Sequence, residues 1–348
     1  MADRNICLLN SKIDKGSIHM PFHKTFGIDL GTSTVKIYSQ EQDTMITEKN
    51  MIAIRNQNQI LAVGNEAYGM YEKNPSNVSV ISPMAFGKIA DVTHTEMVLQ
   101  TLLEKSSAGG KFGNTLYLAV PSDLSEIEQR AYYTIGNSNR KNRIYMVNKT
   151  IADAVALGIP ITHTKGSMIV NIGAQSTEIS VIEGGRVVLS KIVELGGKQL
   201  NEAIVNEVRK QYNLHIGNRT ARRLKFSLAY LKEDIREARK VVGIDSLSGL
   251  PREGIIPSDM IYATILPVIQ RICEEIQFFL ERTPPQMLHN ITDQGIFLAG
   301  GTTRIPDIDW FISQATGQRV RLSSYYELCT ICGLKEIIGN KTLQKWVK

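Results

Sequence analysis

The chain has 348 residues, is 43% hydrophobic and 21% charged, and carries a formal net charge of +6. That length is ample for a large core and suits two domains or a pair of duplicated lobes, at an ordinary globular composition. No apolar run approaches the roughly 18 residues of a membrane-spanning helix. The basic clusters at Arg140–Arg143 and Arg219–Lys240 come with neither zinc-ligand spacing nor stacking aromatics, so nucleic acid is disfavoured as a partner.

In chain order, residues 1–19 lack the apolar core of a secretory signal, residues 1–24 read as a disordered tail, and Met20 stands as an alternative start just before the first strand. Phe26 to Tyr38 then reads F-G-I-D-L-G-T-S-T-V-K-I-Y. An apolar run, an acid (Asp29), a Gly and small hydroxyl residues precede β-branched alternation, the pattern of two strands joined by a tight turn. Strands around Ile52–Ile54 and Leu61–Val63 open an inserted subdomain over about 51–92. A helix follows at Thr95–Glu104, where Met97, Leu99, Leu102 and Leu103 recur at helical spacing. After a loop at 106–114 come a strand at Leu116–Val120 and a helix from Ser125, with Glu128 at capping-box distance. A strand at Ile144–Val147 leads into a helix at Ile151–Leu157, completing a first lobe over 25–162.

The second lobe, 163–332, opens on an imperfect copy of the first hairpin, M-I-V-N-I-G-A-Q-S-T-E-I-S-V-I (Met168 to Ile182), in which Asn171 stands where the first copy has Asp29. A helix over Gly197–Tyr212 places Leu200, Ile204, Val208 and Tyr212 on one stripe. A longer one spans Ser258–Arg282 with Pro267 inside it. The tract Arg219–Lys240 reads as a solvated helix face, and Gly243–Pro257 as part of an inserted lobe over about 199–257. Gly295–Gly301 is an apolar strand ending in Gly-Gly, followed by a helix from about Asp307. Cys329 and Cys332 read as two buried residues of a helix running toward Ile338 and agree with a reducing cytoplasm.

Small residues and backbone N–H groups at the two hairpin turns suit phosphate oxygens, and an acid just before the Gly can hold magnesium on them. The fold read from these elements is α/β.

Several further segments resemble the MreB family, bacterial actin-like proteins of rod-shaped cells. They are G-I-D-L-G-T-S-T (Gly27 to Thr34), V-I-S-P-M-A-F-G-K-I-A-D (Val80 to Asp91) and A-V-P-S-D-L-S-E-I-E-Q-R-A (Ala119 to Ala131). Y-N-L-H-I-G-N-R-T-A (Tyr212 to Ala221), S-G-L-P-R (Ser248 to Arg252) and E-R-T-P-P-Q-M-L-H-N-I-T-D-Q-G-I-F-L-A-G-G (Glu281 to Gly301) complete the set. The resemblance implies the actin-like ATPase fold of the sugar kinase and DnaK-type superfamily: two duplicated lobes, each a mixed sheet flanked by helices, with smaller inserted subdomains. The segment 333–348 would return to the first lobe.

The resemblance further implies a cleft binding ATP or ADP with magnesium. Asp29, Gly31, Thr32, Ser33 and Thr34 would serve from one lobe and Gly173, Ala174, Gln175, Ser176 and Thr177 from the other. Gly197, Lys198, Arg222, Lys225, Gly300, Gly301 and Thr302 would lie nearby. It implies head-to-tail homopolymers in the cytoplasm, at the inner face of the cell membrane, in cell-wall morphogenesis. A partner could be an MreB paralogue, and Phe112 is the expected lipid contact.

Four departures weaken the catalytic expectation. The family usually has Glu-Glu-Pro where this chain has Asn148, Lys149 and Thr150, and an Asp where it has Asn171. It usually has an Asp where this chain has Lys198, and a Glu where it has Arg222. A protonated lysine cannot orient the attacking water, so hydrolysis is expected to be slow or absent and magnesium is left open. Two further readings stay open: an active ATPase whose water is positioned by Gln175 or Glu178, and a non-polymerising scaffold partner of an MreB paralogue.

Overall fold

The computed structural model describes residues 24–56, 59–106, 113–137, 141–232 and 235–347. The expected tail therefore lies outside the described residues, save Lys24, and so does Phe112. The described residues form two compact units. The first runs up to Thr164 and adds Gly184–Val187 and the chain from Glu327. The second comprises Lys165–Glu183 and Val188–Tyr326.

The first unit begins with β1 (Lys24–Leu30), β2 (Thr34–Ser39) and β3 (Thr44–Lys49), an antiparallel meander. A smaller region follows: β4 (Ile52–Arg55), β5 (Gln59–Val63), α1 (Asn65–Met70), β6 (Val78–Ile81), β7 (Met84–Ala85) and β8 (Lys88–Ile89). Then come α2 (Val92–Lys105), β9 (Asn114–Val120), α3 (Glu126–Gly136), β10 (Arg143–Asn148) and α4 (Lys149–Ala156). Helix α3 starts with the expected capping box between Ser125 and Glu128. The main sheet has the order β10-β9-β1-β2-β3, with β1, β9 and β10 parallel. Five of the seven residues of β1 are buried, as in a strand covered on both faces.

The second unit repeats the plan. It contains β11 (Lys165–Ile172), β12 (Thr177–Glu183), β13 (Arg186–Val193, from Val188 onward), α5 (Gly197–Tyr212), β14 (Leu214–His215) and α6 (Asn218–Leu228). It continues through β15 (Ala238–Asp245), β16 (Pro251–Pro257), α7 (Ser258–Glu281), α8 (Pro285–Gln294), β17 (Ile296–Ala299), α9 (Ile308–Thr316) and β18 (Val320–Leu322). Its sheet order, β13-β12-β11-β17-β18, matches that of the first sheet read from its opposite edge, β3-β2-β1-β9-β10. Leu200, Ile204 and Val208 of α5 are buried in this unit's core.

The tract Arg219–Lys240 is not a single helix. It divides into α6 and the start of β15, which pairs antiparallel with β16. Ladder hydrogen bonds to a distant partner overrode the helical reading of a polar, charged run.

The chain closes on α10 (Cys329–Gly339), which belongs to the first unit and carries Cys329 and Cys332 buried. It packs against α4 at close range: a Cβ on Gly333 would lie 1.8 Å from the Ala152 carbonyl oxygen. The hydroxyl of Thr330 donates to Asp153 at 2.6 Å. Only a residue without a side chain allows that helix contact.

Candidate functional site

In the first unit the site is built on the β1–β2 hairpin. The Gly31 N–H donates to the Thr34 carbonyl at 3.0 Å, closing the turn. That closure sets the antiparallel register, which places Lys36 directly opposite Asp29. The Lys36 ammonium lies 2.7 Å from Asp29 Oδ2. The parallel ladders align Asp29 with Ala119 and Ala119 with Val147, so α4 starts at the level where β1 presents its carboxylate. Lys149, the first residue of α4, places its ammonium 3.1 Å from Asp29 Oδ1. Both carboxylate oxygens thus hold a lysine.

Asp29 is 2% exposed. Burial pushes its carboxyl pKa upward, but the charges and hydrogen bonds of Lys149 and Lys36 outweigh burial and hold it down at about 2.

The turn itself is braced from the inserted region. Asn50 donates through its side chain to the Gly31 carbonyl at 2.9 Å and through its backbone to the Ser33 carbonyl at 3.1 Å. Ser82 donates to the Thr32 carbonyl at 3.1 Å, and the Gly87 N–H donates to the Thr32 hydroxyl at 3.0 Å. Thr32 is therefore turned inward, Ser33 is exposed and Thr34 is half-buried.

In the second unit the equivalent turn is closed by the Gly173 N–H donating to the Ser176 carbonyl at 2.8 Å. The Gly173 carbonyl accepts from the Gly197 N–H at 3.1 Å and from the Thr302 hydroxyl at 2.7 Å, and Ala174 accepts from the Lys198 N–H at 2.6 Å. Lys225 donates to the Gly197 carbonyl at 2.9 Å. A Cβ on Gly197 would stand 2.6 Å from the Thr302 hydroxyl and 3.0 Å from the Lys225 ammonium, so the three elements meet there. Gly300 adopts φ +100°, and a side chain on it would collide with the Ile172 carbonyl and with Asn171 Oδ1. Gly301 follows in the 3-10 turn Gly301–Arg304 that carries Thr302.

Lys225 is almost wholly buried, and no carboxylate forms an ion pair with it among the described residues. Burial lowers its pKa and the Arg222 charge lowers it further, to about 7.

Other sequence candidates lie less centrally. Thr177 donates inward to the Leu195 carbonyl at 2.8 Å. The half-exposed Lys198 ammonium is 3.7 Å from Glu202. Exposed Arg222 lies over the Phe226 ring at 5.1 Å. Gln175 and Ser176 are half-buried at the turn. Asn171 faces Glu178 across the hairpin, the counterpart of Asp29 facing Lys36.

The magnesium expectation meets a donor set that does not fit it. The one acid at the first turn, Asp29, has both oxygens taken by ammonium groups, and its counterpart Asn171 is a neutral amide. Among the described residues, no three His, Cys, Asp or Glu side chains are grouped to hold a metal. Lys36 is not among the site residues expected from the sequence. The signal was present, since a turn closed between residues 31 and 34 pairs 29 with 36. Asn50, Ser82 and Gly87 were not expected at the site either; Ser82 and Gly87 stand in the segment Val80 to Asp91, but only the fold shows that they brace this turn.

The MreB/Mbl protein family model matches residues 23–345. The cell shape-determining protein MreB of Escherichia coli is 31% identical over 332 residues, covering 93% of this chain and 94% of that protein. MreB5 of Spiroplasma citri bound to AMPPNP superposes with a TM-score of 0.86 at 27% identity, over 93% of this chain and 97% of its own. A chain of the MamK double helical filament superposes with a TM-score of 0.76 at 15% identity, over 91% of this chain and 99% of its own.

Proposed function

This chain belongs to the MreB/Mbl family and has the actin-like fold, and we propose that it is a filament-forming cell-shape protein that binds ATP or ADP and hydrolyses ATP slowly or not at all. The observation carrying the last clause is the Lys149 ammonium on Asp29. An ammonium has three donors and no acceptor, so it cannot take a proton from an attacking water or orient its lone pair toward phosphorus. A positioned general base contributes on the order of 10²–10⁴ in rate, and an enzyme lacking one is slower by about that factor.

Nucleotide binding is supported by the two braced glycine turns and by the relative MreB5, whose structures are bound to AMPPNP and to ADP. Self-association is supported by MamK, of the same fold, seen in a double helical filament. The proposed polymer is a head-to-tail homopolymer on the inner membrane surface, working with cell-wall morphogenesis proteins and an MreB paralogue. No described helix is long and apolar enough to cross a membrane.

Phosphate release by the purified chain, measured beside the Lys149→Glu, Asn171→Asp double variant, tests the reading. The variant should release phosphate faster by about tenfold or more. Equal rates, with the wild type turning over, would favour an active ATPase that positions its water through Gln175 or Glu178.

A further inference from the structure

The lysine pair on Asp29 bears on more than rate. Asp29 is not a carboxylate awaiting an ion but one already neutralised from two directions. Lys36 reaches it because hairpin register puts the two residues opposite each other. Lys149 reaches it from 120 residues away because the strand ladder brings the start of α4 alongside. Each contact is fixed by an independent feature of the fold, so neither is an accident of a long side chain.

The backbone under Lys149 is equally determined. Asn148 caps α4, its side-chain oxygen accepting from the Thr150 N–H at 2.9 Å and from the Ser122 hydroxyl at 2.9 Å. Gly333 seats the helix against α10. The two lysines also differ in access. Lys36 has a side-chain exposure of 5% and serves the interior, whereas Lys149 has 22% and can be reached from solvent.

A divalent ion brought to Asp29 would either lie close to two ammonium charges or displace one of them, and both outcomes crowd positive charge into a poorly solvated site. The arrangement therefore selects against the ion and keeps the lysine.

We infer that this chain binds its nucleotide polyphosphate without a divalent cation, with Lys149, held in place by Asp29, supplying the positive charge that a metal ion would otherwise bring. This rests on the nucleotide-binding reading above. An ammonium is a compact, strongly donating point charge suited to phosphate oxygens. Metal-free ATP carries more negative charge than its magnesium complex, so magnesium competes with the protein for the ligand and acts as an antagonist.

The test is an equilibrium titration of the full chain with a fluorescent ATP analogue, once in EDTA and once in excess magnesium. Binding in EDTA is expected to be at least as tight as in magnesium. Lys149→Met should weaken the EDTA binding by roughly ten- to a hundredfold, the worth of one charge-assisted hydrogen bond, while Lys149→Arg retains it. Circular dichroism on both variants confirms that they fold. Binding that requires magnesium would overturn the inference and leave the nucleotide reading standing. Binding in neither condition would overturn the nucleotide reading and the inference with it. Equal EDTA affinities for wild type and a folded Lys149→Met variant would overturn the role of Lys149.

Discussion

Replacing Lys36 by Met probes the buried charge cluster most directly, because Met keeps the apolar stem of the lysine and deletes only its ammonium. In the intact protein the Asp29 carboxyl is lowered from 3.8 to about 2, despite burial that pushes the other way. At about 1.4 kcal/mol per unit, the lysines exceed the burial penalty by roughly 2–3 kcal/mol. Lys36 makes the shorter and more buried of the two contacts. Its loss consumes that margin and leaves a partly compensated buried carboxylate, at roughly 3–5 kcal/mol.

The sign with pH follows from linkage. In the wild type the folded pKa lies below the unfolded one. The stability that Asp29 contributes is therefore full above about pH 4 and is lost as pH falls toward 2. In Lys36→Met only Lys149 still opposes burial, so the folded pKa rises and protonation relieves the fold as pH falls. Urea unfolding at pH 7 and at pH 4.5 should therefore show a wide gap between wild type and variant that narrows in acid. A gap below about 0.5 kcal/mol at pH 7, the ordinary range of surface substitutions, would refute the reasoning. So would a gap that does not change with pH.

Other outcomes follow from the same geometry. Lys225 has a folded pKa near 7, below its unfolded value of 10.5, so the unfolded chain binds more protons between those limits. Stability should rise from pH 7 to 9 with a slope of up to about 1.4 kcal/mol per unit from this group, seen as a rising urea midpoint. Lys225→Met should flatten that rise; an unchanged slope would show that Lys225 is not the group responsible. Gly333→Ala forces a Cβ onto the Ala152 carbonyl, so it should destabilise by roughly 1–3 kcal/mol or more. An unaltered melting temperature would show that α4 and α10 part without cost.

Much of the local structure is legible in the residues alone, and the reason is range. The hairpin at Phe26–Tyr38, the α5 stripe from Gly197 to Tyr212 and the Ser125–Glu128 capping box each depend on residues within a few positions of one another. The tract from Arg219 to Lys240 misled because its fate was not local: Lys240 lies opposite Ile255 only once β15 has found β16. The Gly and hydroxyl residues of the two turns, which motivate the phosphate-binding expectation, are visible in the sequence. Their bracing by Asn50, Ser82 and Gly87 in one unit, and by Thr302 and Gly197 in the other, needed distant backbone brought near.

The residues by themselves determined that Asp29 survives at the first turn, that Asn171 replaces its counterpart, and that Lys149 stands where the resemblance expects an acid. These are facts of identity, and identity is written in the chain. Only the tertiary structure decided what Asp29 does. A carboxylate that looked like a metal ligand is held between Lys36 and Lys149, one delivered by hairpin register and one by a parallel ladder and a helix start. Charge interactions act through space, and the 2.7 and 3.1 Å separations that settle the matter exist only after the strands have paired.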